Sequence, residues 1–358
     1  MSVRGKALLL LAASLAAPAA LADTVRPEVG KYLVQAEKLV NAQKYAAALH
    51  AVDEAQALGH LTPYETQVTA ELRGAAAAEA GQYELAAQSY AAVLAAGGQS
   101  APQTLAMTQA IVGYYDSAGD QANTIEWVKR YEAAGGKNAS IRALATQAEY
   151  AQGRYQAVLA SVQADEQAGR VPVAELQLGA SAAQKAGDKQ AYFDALQKLL
   201  TAAPSPAAWN AAITLVQSAP DFPDGLTIDL YRLREATGTL TQASDIEDYA
   251  ERAILAGEPQ EARAALDAGF NAGILTTQTD NGHAARLRKL AGQKAQGPQA
   301  ASAQPGDALA TGLAALLAGD KTTATQQLST VPGYAQGQLT PPRAALARLG
   351  NIAAQQHG

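Results

Sequence analysis

Residues 78–98 read AEAGQYELAAQSYAAVLAAGG, and the spacing within this stretch decides the fold. Alanine has the highest helix propensity because it loses no side-chain entropy, so an alanine-rich run bounded by glycine reads as helix. Gly81 ends one helix by taking a left-handed conformation that a Cβ would penalise. Tyr83 is expected to fill the gap between that helix and the next. Ala86, one turn on, is expected where the two helices cross, since only a small side chain admits ridge-into-groove packing at about 8–10 Å. Tyr90 and Val93 are then expected to face the following helix pair.

The same pattern recurs along the chain. Tyr45, Ala48, Val52 and Ala55 precede it; Gly119-Asp120-Gln121 leads to Thr124, Val128 and Tyr131. Gly153-Arg154-Tyr155 leads to Val158 and Val162, and Gly187-Asp188-Lys189 to Tyr192, Leu196 and Leu199. The equivalent positions 45, 83, 121, 155 and 189 are 38, 38, 34 and 34 residues apart, and position 259 lies 70 further on, two units of 35. A helix–turn–helix unit with a period near 34 resembles the tetratricopeptide repeat (TPR) family. The fold class expected from this resemblance is all-α, a right-handed TPR-like α-solenoid of antiparallel helix pairs.

Helix-start signals agree with the frame. Thr62-Pro63-Tyr64-Glu65 and Ser244-Asp245-Ile246-Glu247 read as capping boxes. Asp120, Asp188 and Asp320 follow glycines as caps, and Ser205-Pro206 and Thr340-Pro341 are expected to open helices. Residues 206–217 and 225–237 read as a divergent pair, and 282–294 as a lone helix. The Gly-, Pro-, Gln- and Ser-rich residues 292–307 read as a flexible linker. The organisation expected is a TPR-like domain over 23–291, the linker, and a C-terminal TPR-like unit with a capping helix over 308–358.

The first 22 residues, MSVRGKALLLLAASLAAPAALA, place Arg4 and Lys6 before an apolar run and end in Ala20-Leu21-Ala22, the pattern of a cleaved secretory signal peptide. The apolar run is shorter than the roughly 20 residues that span a bilayer. The chain's net charge of −6 becomes −8 once Arg4 and Lys6 are removed with this segment. An acidic exported protein argues against nucleic acid as partner, which is bound through basic surface. There is no cysteine, hence no disulfide and no thiolate metal site. The expected location is the periplasm, with no transmembrane segment after cleavage.

Segments outside the repeat consensus, RPEVGKYL, LTPYE at 61, YFDAL at 192, Trp209, DLYRLREATG at 229 and ALDAGFNAGIL at 265, together resemble secreted proteobacterial TPR proteins of poorly defined role. Some of those are thought to serve TonB-dependent outer-membrane transport. The resemblance implies a periplasmic repeat protein and transfers no catalytic residue and no cofactor.

Chemistry-bearing constellations are sparse. His50, His60, His283 and His357 form neither a His-x-x-x-His pair nor a His-Glu-x-x-His site. Gly179-Ala180-Ser181 lacks the strand that strains a nucleophile elbow, and Gly135-Gly136-Lys137-Asn138 reads as a helix-ending turn. Asp245, Glu247, Asp248 and Glu251 read as a helix start favoured by its dipole. Arg286, Arg288, Lys289 and Lys294 gather on an acidic chain, either as a solvated face or as a docking patch for an acidic partner.

A solenoid leaves a surface lined by the first helix of each pair. Counting back from each turn gives groove positions Glu71, Gln109, Asp116, Gln147, Tyr150, Gln177 and Gln184. Gln, Glu and Asp there argue against the Lys-, Arg- and Asn-based clamp by which some TPR domains hold a C-terminal carboxylate. The function expected is a non-enzymatic periplasmic scaffold for an envelope protein. The alternatives are a carrier or sensor of small cell-envelope ligands and, last, an enzyme with its site around Trp209 and Tyr231.

Overall fold

Helix follows helix, and most of the connections carry a glycine with positive φ. The computed structural model describes residues 25–169, 171–278, 282–296 and 307–356, and the expected signal peptide and His357 lie outside them. The described residues hold eighteen α-helices and no strand. They divide into two compact units, one up to Ser161 and one from Val162.

In the first unit the pairs are α1 (Pro27–Asn41) with α2 (Tyr45–Ala57), α3 (Pro63–Glu79) with α4 (Tyr83–Ala96), and α5 (Ala101–Ala118) with α6 (Gln121–Ala133). Then come α7 (Ala139–Ala151) and the start of α8 (Tyr155–Gln167), in which the boundary between the units falls. Each helix packs on the next as far as α7, and α1 also touches α3, as α5 touches α7. The second unit continues with α9 (Val173–Ala186) and α10 (Lys189–Ala202), α11 (Pro206–Gln217), and α12 (Thr227–Ala236) behind a single 3-10 turn. A further pair, α13 (Ala243–Leu255) and α14 (Pro259–Asn271), precedes α15 (His283–Ala295). Last come α16 (Ala308–Leu317), α17 (Lys321–Ser329) and α18 (Pro342–Gln356).

The sequence frame coincides with the helix starts: positions 45, 83, 121, 155, 189 and 259 are each the first residue of a second helix, as is Lys321. Two residues before, Gly81 turns with φ +74°, whereas the first pair uses Gln43 at φ +58°. The fourth residue of the second helix, expected at the helix crossing, is a core position in most pairs. Ala48, Ala86, Val158, Ala262 and Ala324 are wholly buried there and Thr124 nearly so. Tyr192 departs from this rule and is half-buried, its place in the core taken by the neighbouring Phe193.

The caps are mostly as expected. Thr62 and Glu65 form a reciprocal capping box, Asp120, Asp188 and Asp320 accept from backbone N–H groups at 2.9–3.0 Å, and Ser205 caps α11. Two differ. Ser244 is no cap, because α13 starts at Ala243 with Gln242 as the extended flanking residue. Thr340–Pro341 is a cis peptide, and α18 begins one residue later at Pro342.

In the second unit α16, α17 and α18 share one core with α10, α11 and α12, built on Phe193, Trp209, Ile213, Leu230, Leu313 and Leu346. Helix α18 buries residues around most of its circumference, Ala344 to Ala347, Leu349 to Asn351, Ala353 and Ala354, as a helix enclosed on several sides must. Gln190 of α10 fastens the approach to α18, accepting from Leu339 N at 2.8 Å, and Arg348 Nε donates to Gln197 Oε1 at 2.6 Å. Helices α13, α14 and α15 build a second core from Ile246, Leu266, Leu275 and Leu287. The residues expected as a linker, 292–307, begin inside α15 and end at Asp307, which caps α16; residues 297–306 lie outside those described.

Candidate functional site

The expected groove residues all stand on first helices. In the first unit Glu71 is half-buried on α3 and accepts from Gln67 Nε2 at 3.0 Å. Gln109 and Asp116 are exposed on α5; on α7 Gln147 is exposed, and half-buried Tyr150 packs edge-on against Tyr155. Gln177 and Gln184 are exposed on α9 of the second unit. Glu71, Gln109 and Gln177 hold one register relative to the following turn, and Asp116, Tyr150 and Gln184 another. Equivalent points of successive first helices therefore carry polar or amphipathic groups.

Tyr83, expected to fill the gap inside its own pair, reaches the following one. It is half-buried, and its ring stacks on Tyr114 of α5 with centroids 6.4 Å apart. Tyr90 stacks on the same ring at 5.8 Å. Gly74 leaves a hollow on α3 that the Tyr90 ring fills, whereas half-buried Tyr83 stands beside the turn. There it lines an open depression of about 700 Å³ with Gln82, Glu84, Gln88 and Ser117.

The basic residues of α15 are all exposed, but they do not act together. Arg288 and Lys289 line a depression of about 490 Å³ with Arg263 and Phe270 of α14, while Arg286 and Lys294 lie outside it. Asp267 pairs with both Arg288 and Arg263, the latter at 3.5 Å. Arg263 and Phe270 were not legible as partners of this patch, because they come from the preceding helix of the second core.

The acidic run of α13 is dispersed among structural partners. Asp248 accepts from Tyr231 Oη and from Arg252 Nε, both at 2.9 Å, Glu251 meets His283 Nε2 at 2.8 Å, and Glu247 is buried. Gly179-Ala180-Ser181 is helical, with Ser181 Oγ donating to the Gln177 carbonyl. Among the described residues no three His, Asp or Glu side chains gather as metal ligands.

A buried ionic cluster escaped sequence reasoning. Arg232, 5 % exposed, donates to Asp229 at 3.0 Å and to both oxygens of Glu261 at 2.8 and 3.0 Å. Tyr249 Oη donates to Glu261 at 2.7 Å. Burial pushes the carboxyls of Asp229 and Glu235 and the phenol of Tyr249 above their ordinary ranges. The available signal was Asp229 and Arg232 at helical spacing among Leu230 and Leu233; Glu261, a helix pair away, gave none. Trp209 and Tyr231 are both buried in the main core of this unit.

Neither a family model nor a curated protein matches the chain.

Proposed function

We propose that this protein is a non-enzymatic, exported scaffold that binds a protein of the cell envelope along the first helices of its repeats. The observation that carries the reading is polar exposure along the first helices: Gln109 on α5 and Gln147 on α7 present exposed amides from two helices that touch, over a layer of buried residues. A repeat that uses its small and aromatic residues for stacking leaves such a face to a partner. We further propose that the pairs wind right-handedly as in the tetratricopeptide repeat, whose period and turn glycines the chain resembles, and that residues 1–22 direct it to the periplasm. The non-enzymatic reading is supported by Asp229, Glu235 and Tyr249, whose displaced titrations belong to a buried cluster and which line neither depression. The depression beside Tyr83 favours the second reading, a carrier of small envelope ligands, to the extent that it exposes an aromatic ring among amide and carboxylate groups.

The test is capture from an envelope extract with the exported protein and with Gln109→Lys/Gln147→Lys in parallel. One stoichiometric protein retained by the first and lost by the second is expected. Equal retention by both would overturn the groove assignment. N-terminal sequencing of the exported form should read DTVRPEV, and a retained Met1 would contradict export.

A further inference from the structure

We propose that the depression between α14 and α15 binds an acidic peptide segment, gripped by Arg263, Arg288 and Lys289 beside the ring of Phe270. The site uses none of the residues on which the scaffold proposal rests, and it holds or fails separately. Three cations converge there on a chain whose net charge is −6. The Asp267 carboxylate, shared by Arg263 and Arg288, offsets one of them. Lys289 forms no ion pair among the described residues.

Arg288 is oriented for this task. Its guanidinium lies over the Phe270 ring, 5.0 Å from the centroid, and its Nε donates to Asp267. Guanidinium carries five N–H donors in a fixed fork, of which the described residues engage only the Nε–H, and the others can meet an incoming carboxylate. Asp267 shows the chemistry already at work, a carboxylate between two arginines. Gly292 leaves room on the α15 side, since a Cβ there would meet only Arg263 Nη1 at 4.0 Å. Thr277, Gln293 and Gln296 add neutral hydrogen-bonding groups around the rim.

The shape selects among anions. A bilayer surface engages clusters of about 4–8 basic residues, whereas three cations line this depression, on a protein whose net charge opposes anionic lipid. Nucleic acid needs a basic track along many phosphates, and here the cations are confined to one depression. A short run of carboxylates, with an apolar side chain to lie along Phe270 and Ala285, fits both the charge and the volume.

Fluorescence anisotropy on the exported chain at about 0.15 M salt tests this with three probes. They are a dye-labelled peptide of Glu, Asp and Leu, its Gln and Asn counterpart, and phosphatidylglycerol vesicles. Saturable binding of the acidic peptide alone is expected. Arg263→Gln with Lys289→Gln should weaken it about tenfold or more, Asp267→Asn should tighten it, and Lys294→Gln, outside the depression, should leave it unchanged. These residues are exposed or half-buried, and unchanged thermal melts will show that the variants fold. No saturable binding, equal weakening by Lys294→Gln, or preference for vesicles or the neutral peptide would overturn the proposal.

Discussion

The ring of Tyr90 occupies the space that a Cβ on Gly74 would need, with Cε2 only 2.9 Å from that point. Tyr90 is buried and also stacked on Tyr114, so it cannot retreat freely. Gly74→Ala should therefore destabilise the protein by about 1–3 kcal/mol through overpacking, although alanine is the better helix former by about 1 kcal/mol. In a Tyr90→Leu background, where the ring is gone, the same substitution should be neutral or stabilising. Denaturant unfolding of the parent protein, the two single variants and the double variant measures this coupling, and additive effects would show that the two residues do not meet.

Gln43 performs in the first pair the turn that Gly81 performs in the second. Its φ of +58° lies in the left-handed region, which costs a residue with a Cβ roughly 1–2 kcal/mol. Glycine lacks that cost but loses more chain entropy on folding, about 0.5–1 kcal/mol. Gln43→Gly should raise stability by up to about 1 kcal/mol in thermal unfolding, whereas Gly81→Gln should lower it.

Glu65 ties the start of the described chain to α3. Its carboxylate accepts from the Arg26 guanidinium, the Arg26 amide at 2.8 Å and the Thr62 amide at 2.9 Å. The Arg26 side-chain bonds come first among the causes that hold its pKa down to about 2, against about 4.3 for an unperturbed glutamate. A depressed carboxylate contributes stability that is fully present above the unfolded value and is lost as pH falls through the folded one. Glu65→Gln should thus lower the melting temperature at pH 7, and the gap from the parent protein should close between about pH 4.3 and 2. A gap independent of pH would assign the effect to lost packing.

Arg232 is enclosed with Asp229 and Glu261, so its removal strands two carboxylates away from water. Arg232→Met should cost about 3–5 kcal/mol, the range for breaking a buried pair on one side. Arg252→Met, in the half-exposed pairs with Asp224 and Asp248, should cost under about 1 kcal/mol. Similar losses in urea unfolding would mean that water reaches the buried cluster.

What the sequence discloses here is what neighbours in the chain decide. Gly81 and the Asp120, Asp188 and Asp320 caps act within a few residues of themselves, so their roles are legible. Ser244 is not, because α13 already starts at Ala243, with Gln242 as the extended residue before it. The return of α18 onto α10 depends on Gln190 and Gln197, some 150 residues away in the chain. Of the candidate surfaces, the exposure of Gln109, Gln147, Gln177 and Gln184 follows from helical register. The depression beside Tyr83 needs Ser117 of α5 in place, and the one beside Arg288 needs Arg263 and Phe270 of α14.

The repeat frame, on which every surface assignment rests, is tested by comparing Ala86→Leu with Gln88→Leu. Ala86 is fully buried in one cluster with Ala76 and Ala77 of α3, while Gln88, two residues on, is exposed and donates to Glu84. Overpacking at position 86 should cost about 1–3 kcal/mol, and the change at 88 less than about 0.5 kcal/mol. Because repeat stability is approximately a sum of local and neighbour terms, hydrogen exchange in Ala86→Leu should accelerate first in α3, α4 and α5. Residues from α10 onward should keep their protection. Equal effects of the two substitutions, or exchange raised evenly over the whole chain, would contradict the frame and the surfaces drawn from it.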